Sequence, residues 1–178
     1  MASIQLFARM VRNPENWSRP PEPWIGLPSG CLHDLGDSHS CPSLFRVSGN
    51  DELITVAAAL NLALEKVRRY TFLIIDDQTA SACGKSPVAQ AGATGSAEAD
   101  LMHCQLLDMS AGELTSFLQA VYDSCGGNPP VGDELSVGRL ALRQVEVAAR
   151  LNEWHRSGKH TLKDSLLADV AKLTRVAT

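Results

Sequence analysis

Residues 44–77 read LFRVSGNDELITVAAALNLALEKVRRYTFLIIDD, and this stretch, from Leu44 to Asp77, decides the class of fold. Leu44 to Val47 forms a short apolar strand. Ser48-Gly49-Asn50-Asp51 supplies a helix start, because Ser48 with Asp51 three residues on, or Asn50 alone, can accept the unpaired amide hydrogens of a first turn. The spacing predicts a helix to about Arg69, with Leu53, Ala57, Leu60, Leu64 and Val67 in one stripe. Ile54, Val56, Ala58 and Leu62 widen that stripe until little polar face remains, which makes the helix central. The basic run Lys66, Arg68, Arg69 then falls in its last turn, where it complements the helix dipole, and is not read as a binding patch. Tyr70 to Ile75 is a continuous β-prone run, buried on both faces and ended by Asp76-Asp77. Strand, helix, strand in this order predicts a crossover unit with two parallel strands.

Working outward toward the N-terminus, Ala2, Ile4, Leu6, Ala8 and Met10 share one face at period two, with Ser3, Gln5 and Arg9 on the other, and predict a half-buried strand. Pro14 ends it. Ser18-Arg19-Pro20-Pro21-Glu22-Pro23 favours an extended stretch between Trp17 and Trp24, whose apolar area places this arm against the domain. The expected division is therefore 1–43, a strand and an irregular arm, and 44–178, one α/β domain. Toward the C-terminus, residues 78–99 lack a period and read as a mobile loop, and Asp100 to Asp108 resumes a strand. Ser110 with Glu113 is a capping box opening a helix with Leu114, Phe117, Leu118 and Val121 on one side. Gly126-Gly127-Asn128-Pro129-Pro130 stops it. Asp133 caps a long helix to about Ser157, Gly158 terminates that helix, and Thr161 with Asp164 opens a last one over 162–176. The fold class expected is α/β or α+β: a small mixed sheet of three to four strands with about four helices and a helical C-terminal half.

At 178 residues, with 44% apolar and 20% charged residues, the chain matches one ordinary globular domain. No apolar run reaches the roughly 18 residues of a membrane span, and the first residues lack the apolar core of a secretory signal. Five cysteines, an odd number, fit a reducing compartment. A soluble, cytoplasmic protein is expected. The net charge of −4 gives no reason to expect nucleic acid or a membrane surface as partner. Charge is uneven along the chain: residues 72–138 carry one basic and nine acidic side chains, residues 139–178 eight and four. Pairing within the fold is the expected resolution, with pairing between subunits as the alternative.

Three constellations could carry chemistry. Cys31 and His33 with His39 and Cys41 offer four zinc donors in an irregular loop, but one-residue gaps are shorter than structural zinc pairs use. If 78–99 makes a hairpin, Asp76, Asp77, Asp100 and His103, with Cys104, meet at one sheet end, where carboxylates and an imidazole could hold a divalent cation or act as acid and base. Gly84-Lys85-Ser86 imitates the end of a phosphate loop, yet Thr79 stands where the first glycine is needed. No G-x-S-x-G elbow and no Cys/His nucleophile frame is present. Val137, Gln144 and Leu151 alternate with Leu140, Val147 and Trp154 at heptad spacing, a seam that either meets a partner or a second copy or is covered by the last helix. The functional expectation is a non-catalytic interaction or regulatory domain that self-associates or binds a protein through its helical half. The alternative is a small enzyme or ligand-binding protein at the acidic strand end.

Overall fold

The structure, a computed structural model, describes residues 5–17, 31, 41–125 and 135–175. Six strands form one sheet: β1 Leu6–Val11, β2 Ser43–Val47, β3 Thr71–Asp76, β4 Val88–Ala89, β5 His103–Gln105 and β6 Gly138–Ala141. Six α-helices are present among the described residues: α1 Asn50–Asn61, α2 Asp77–Ala80, α3 Ala97–Met102, α4 Ala111–Cys125, α5 Gln144–Arg156 and α6 Asp164–Arg175, with a 3-10 turn at Pro14–Trp17. The chain is thus a mixed α/β protein, and its sheet is larger than the three to four strands predicted.

The strand order is β4-β5-β2-β1-β3-β6 and every pairing is antiparallel. β2 and β3 do run in the same direction, because each is antiparallel to β1, but they do not pair. β1 lies between them, with Leu6 opposite both Val47 and Asp76. The crossover unit is therefore split by the N-terminal strand, and the boundary drawn at residue 43 cuts through the middle of the sheet.

Both faces of the sheet are buried, which explains the unbroken apolar run of β3. On one face Ala8, Phe45, Val47, Phe72 and Ile74 pack with residues of α1, α5 and α6. On the other, Phe7, Val11, Leu44, Leu73 and Ile75 pack with Trp17 and with Phe117, Leu118 and Val121 of α4. The last three long helices do not form one group, since α4 lies across the sheet from α5 and α6.

Two predicted elements change type. Residues 100–108 are not one strand: α3 runs through Met102 and only His103–Gln105 is extended. The helix expected from Asp133 is in its described part a strand, β6, followed by α5 beginning at Gln144. Gly138 is buried at φ 148°, a backbone that a helix cannot contain and that favours glycine. Leu142 then donates its amide to the Tyr70 carbonyl at 3.0 Å, which extends the β3 edge instead of a helix.

α1 also ends at Asn61, eight residues before Arg69. The buried Asn61 side chain donates to the Ala57 carbonyl at 2.8 Å and accepts the Arg68 amide at 2.9 Å, closing the next residues into a turn. Distant groups take the remaining polar backbone. Asp169 accepts the Val67 amide at 2.9 Å, and Gln144 donates to the Val67 carbonyl at 2.7 Å.

Candidate functional site

The acidic residues predicted at one sheet end do not converge. Asp76 ends β3 and caps α2 by accepting the Thr79 amide at 2.8 Å, with the exposed Asp77 starting that helix. His103 begins β5, and β1 and β2 lie between β5 and β3, so three strand spacings, about 14 Å, separate the two ladders. The turn expected to join them as a hairpin does not pair them. Asp100 lies in α3, where its carboxylate accepts the Thr94 amide at 2.9 Å and the Thr94 hydroxyl at 2.7 Å. His103 is buried, its Nδ1 3.2 Å from the Gln90 carbonyl and its ring edge-on to Phe45. Burial pushes the neighbouring Cys104 thiol up to about 11, which keeps it protonated and inert.

Of the zinc candidates, His33 and His39 lie outside the described residues. Cys31 is buried in the core beside Trp17 and donates its thiol to the Asn16 carbonyl at 3.0 Å. Cys41 is half-buried. Among the described residues no group of three or more His, Cys, Asp or Glu side chains is placed to hold a metal ion.

The heptad seam is divided between two elements. Leu140 sits in β6 opposite Phe72, and Val137 precedes that strand with 37% of its surface exposed. Val147, Leu151 and Trp154 are buried in the same core as Leu166 and Val170 of α6 and Val56 of α1. Their apolar surface is thus covered within one chain. Gln144 reaches back to the Val67 carbonyl instead of fixing a register with another helix.

A hollow of about 680 Å³, open to solvent, lies between the turn after α1 and the starts of α5 and α6. Lys66, Arg68, Arg69 and Lys163 line it, with Glu65 as the one carboxylate, and Gln144, Ala63, Leu64 and Val67 complete the wall. Lys163 Nζ donates to the Ala63 carbonyl at 2.9 Å. Lys66, Arg68 and Arg69 are exposed and make no ion pair among the described residues, whereas the other ion pairs engage Lys85, Arg143, Arg150 and Lys159. The nearby Asp169 carboxylate accepts the Val67 amide.

Comparison with protein families, with curated proteins and with solved structures finds no match to this chain. The hollow is therefore read from its own chemistry. Its basic run stood in plain sight in the sequence. Continued as helix, it would have placed Glu65 three and four residues before Arg68 and Arg69, the spacing of neutralising pairs. The early end of α1 removes those pairs and leaves the cations to line a concavity. Among the described residues the bridge from Lys159 to Glu98, 2.5 Å, joins the basic C-terminal part to the acidic middle.

Proposed function

We propose that the chain is a non-catalytic interaction or regulatory domain that binds an acidic segment of a protein partner in the basic hollow of its helical half. The observation that carries this reading is the set of three cations, Lys66, Arg68 and Arg69, gathered at one concavity with Glu65 as its one lining carboxylate and with no ion pair to any of the three among the described residues. Like charges held together cost stability, and an anionic partner offsets that cost while the local field speeds its arrival. The hollow is also rigidly framed. Gln144, Asp169, Lys163 and Asn61 tie the turn to three helices through bonds of 2.7 to 2.9 Å.

Fluorescence anisotropy with a labelled ten-residue glutamate peptide tests this. Binding is expected at low ionic strength, weakening at least tenfold between 20 and 200 mM salt as screening shortens the reach of exposed charges. The triple variant Lys66→Ala, Arg68→Ala, Arg69→Ala is expected to lose it. These side chains are exposed, so the variant is expected to fold with stability within about 0.5 kcal/mol of the parent. Unchanged binding by the variant contradicts the proposal.

A second copy of the chain is the competing partner, since Asp76 and Asp77 stand at the end of β3 remote from Arg68 and Arg69. Light scattering across a hundredfold concentration range distinguishes it: self-association through this hollow raises the mass in the parent and not in the triple variant. The enzyme alternative draws no support from the placement of Asp76, Asp100 and His103, whose carboxylates and imidazole are spread over separate elements.

A further inference from the structure

The geometry points to a phosphomonoester as the group this hollow recognises, carried on an extended peptide segment, so that the domain responds to phosphorylation of its partner. The inference rests on the anionic-partner reading and narrows it.

Charge density is the first ground. Four cations face one carboxylate in the hollow. A phosphorylated serine brings about −1.5 to −2 charges on a single side chain, whereas matching the same excess with carboxylates crowds two or more acidic residues into one concavity. The donor set is the second. Arg68 and Arg69 are adjacent, and guanidinium forks bind phosphate oxygens through paired hydrogen bonds. Lys163 is already steered to the rim by its bond to the Ala63 carbonyl, and an ammonium has two further protons to donate. Third, two helices of 13 and 12 residues begin at this place: Gln144 is the first residue of α5, and Lys163 immediately precedes Asp164, the first residue of α6. Their positive dipole ends add to the side-chain field, although Glu146 and Asp164 in the first turns offset part of it.

The shape selects the carrier. A small molecule is usually enclosed over most of its surface by apolar walls, but here the apolar lining is limited to Ala63, Leu64 and Val67 and the hollow is open. The lining contains no aromatic ring on which a nucleobase could stack. The large apolar side chains exposed among the described residues, Val88, Leu101 and Val137, are not part of the lining, so nothing there inserts into a bilayer. A length of peptide with one phosphorylated side chain fits both the opening and the charge.

The test uses immobilised peptide libraries with randomised flanks around a central serine, phosphoserine or glutamate, probed with the full chain. At least tenfold more protein is expected on the phosphoserine library than on the other two. Adding 10 mM inorganic phosphate is expected to reduce that signal, and Arg68→Ala with Arg69→Ala to abolish it, while Arg68→Lys with Arg69→Lys keeps charge but loses most of the preference for phosphoserine over glutamate. Equal retention on phosphoserine and glutamate, still lost in the alanine variant, overturns the phosphate inference and leaves the anionic-partner reading standing. Retention on none of the libraries, or retention indifferent to the alanine substitutions, overturns both. Co-sedimentation with vesicles containing 30% phosphatidylserine in preference to the phosphoserine library also overturns the peptide assignment.

Discussion

Asn61 shows how one side chain sets the shape of the basic hollow. Its amide group ends α1 and holds the Arg68 backbone, so the basic run is presented by a turn anchored in the core. Asn61→Ala leaves the Arg68 amide and the Ala57 carbonyl without this partner, which is expected to cost about 1–3 kcal/mol, read as a lower urea midpoint at unchanged slope. His160 gives a pH signature. Its ring lies 4.7 Å from that of Trp154, and burial, with help from the Lys159 charge, holds its pKa below the ordinary value. Between that lowered value and the unfolded value of about 6.5 the unfolded chain binds the proton and the folded chain does not. Stability is therefore expected to be full above about pH 6.5 and to fall progressively below it. In thermal melts from pH 7.5 to 5, His160→Gln is expected to flatten this decline; an equal decline in the variant contradicts it. Burial also pushes Cys104 up to about 11 and Cys125 up to about 12. Mass spectrometry after brief alkylation is expected to find label on the half-buried Cys41 and Cys83 and none on Cys104 or Cys125 until the chain unfolds.

At the scale of elements, α5 decides between a helix that binds a partner and one that completes a core. Leu151 is fully buried and Trp154 nearly so, among residues of α1 and α6. Leu151→Ala is expected to destabilise by about 2–5 kcal/mol in chemical denaturation; a loss of mass in light scattering without loss of stability contradicts this placement. α1 and α5 are further joined by Arg150, which donates to Asp51 and Thr55 and pairs with Glu153 at 3.2 Å. Elements marked by their own residues were legible in the sequence. Ser110 and Glu113 do form the capping box, with bonds of 2.7 and 3.3 Å, and the apolar run of β3 is buried on both faces. The misread elements were those fixed by distant partners. Nothing near Lys66 says that Gln144 and Asp169, 77 and 102 residues from Val67, will take its neighbour's backbone and stop the helix. β6 was hidden for a related reason: Val137 and Leu140 suit a helical stripe, and only pairing with β3 makes Gly138–Ala141 a strand.

Across the whole molecule, β1 divides the split crossover and lets a single antiparallel sheet support two separate cores. That arrangement was not readable from adjacent segments, because the N-terminal strand gives no local sign of where it will insert. It also separates charge. Asp76 and Asp77 lie at one end of β3, while Lys66, Arg68 and Arg69 lie before the other, roughly 20 Å away along a strand of this length. No helix among the described residues is long and apolar enough to cross a membrane. The measurement that tests the proposed binding at the basic hollow most directly is an amide chemical-shift map of the labelled protein titrated with the ten-residue glutamate peptide. The shifts are expected to concentrate on Ala63 to Arg69 and on the first turns of α5 and α6, and to vanish in the triple alanine variant. Shifts centred elsewhere, on β4 or around Asp76 for example, or shifts that persist in the variant, contradict it.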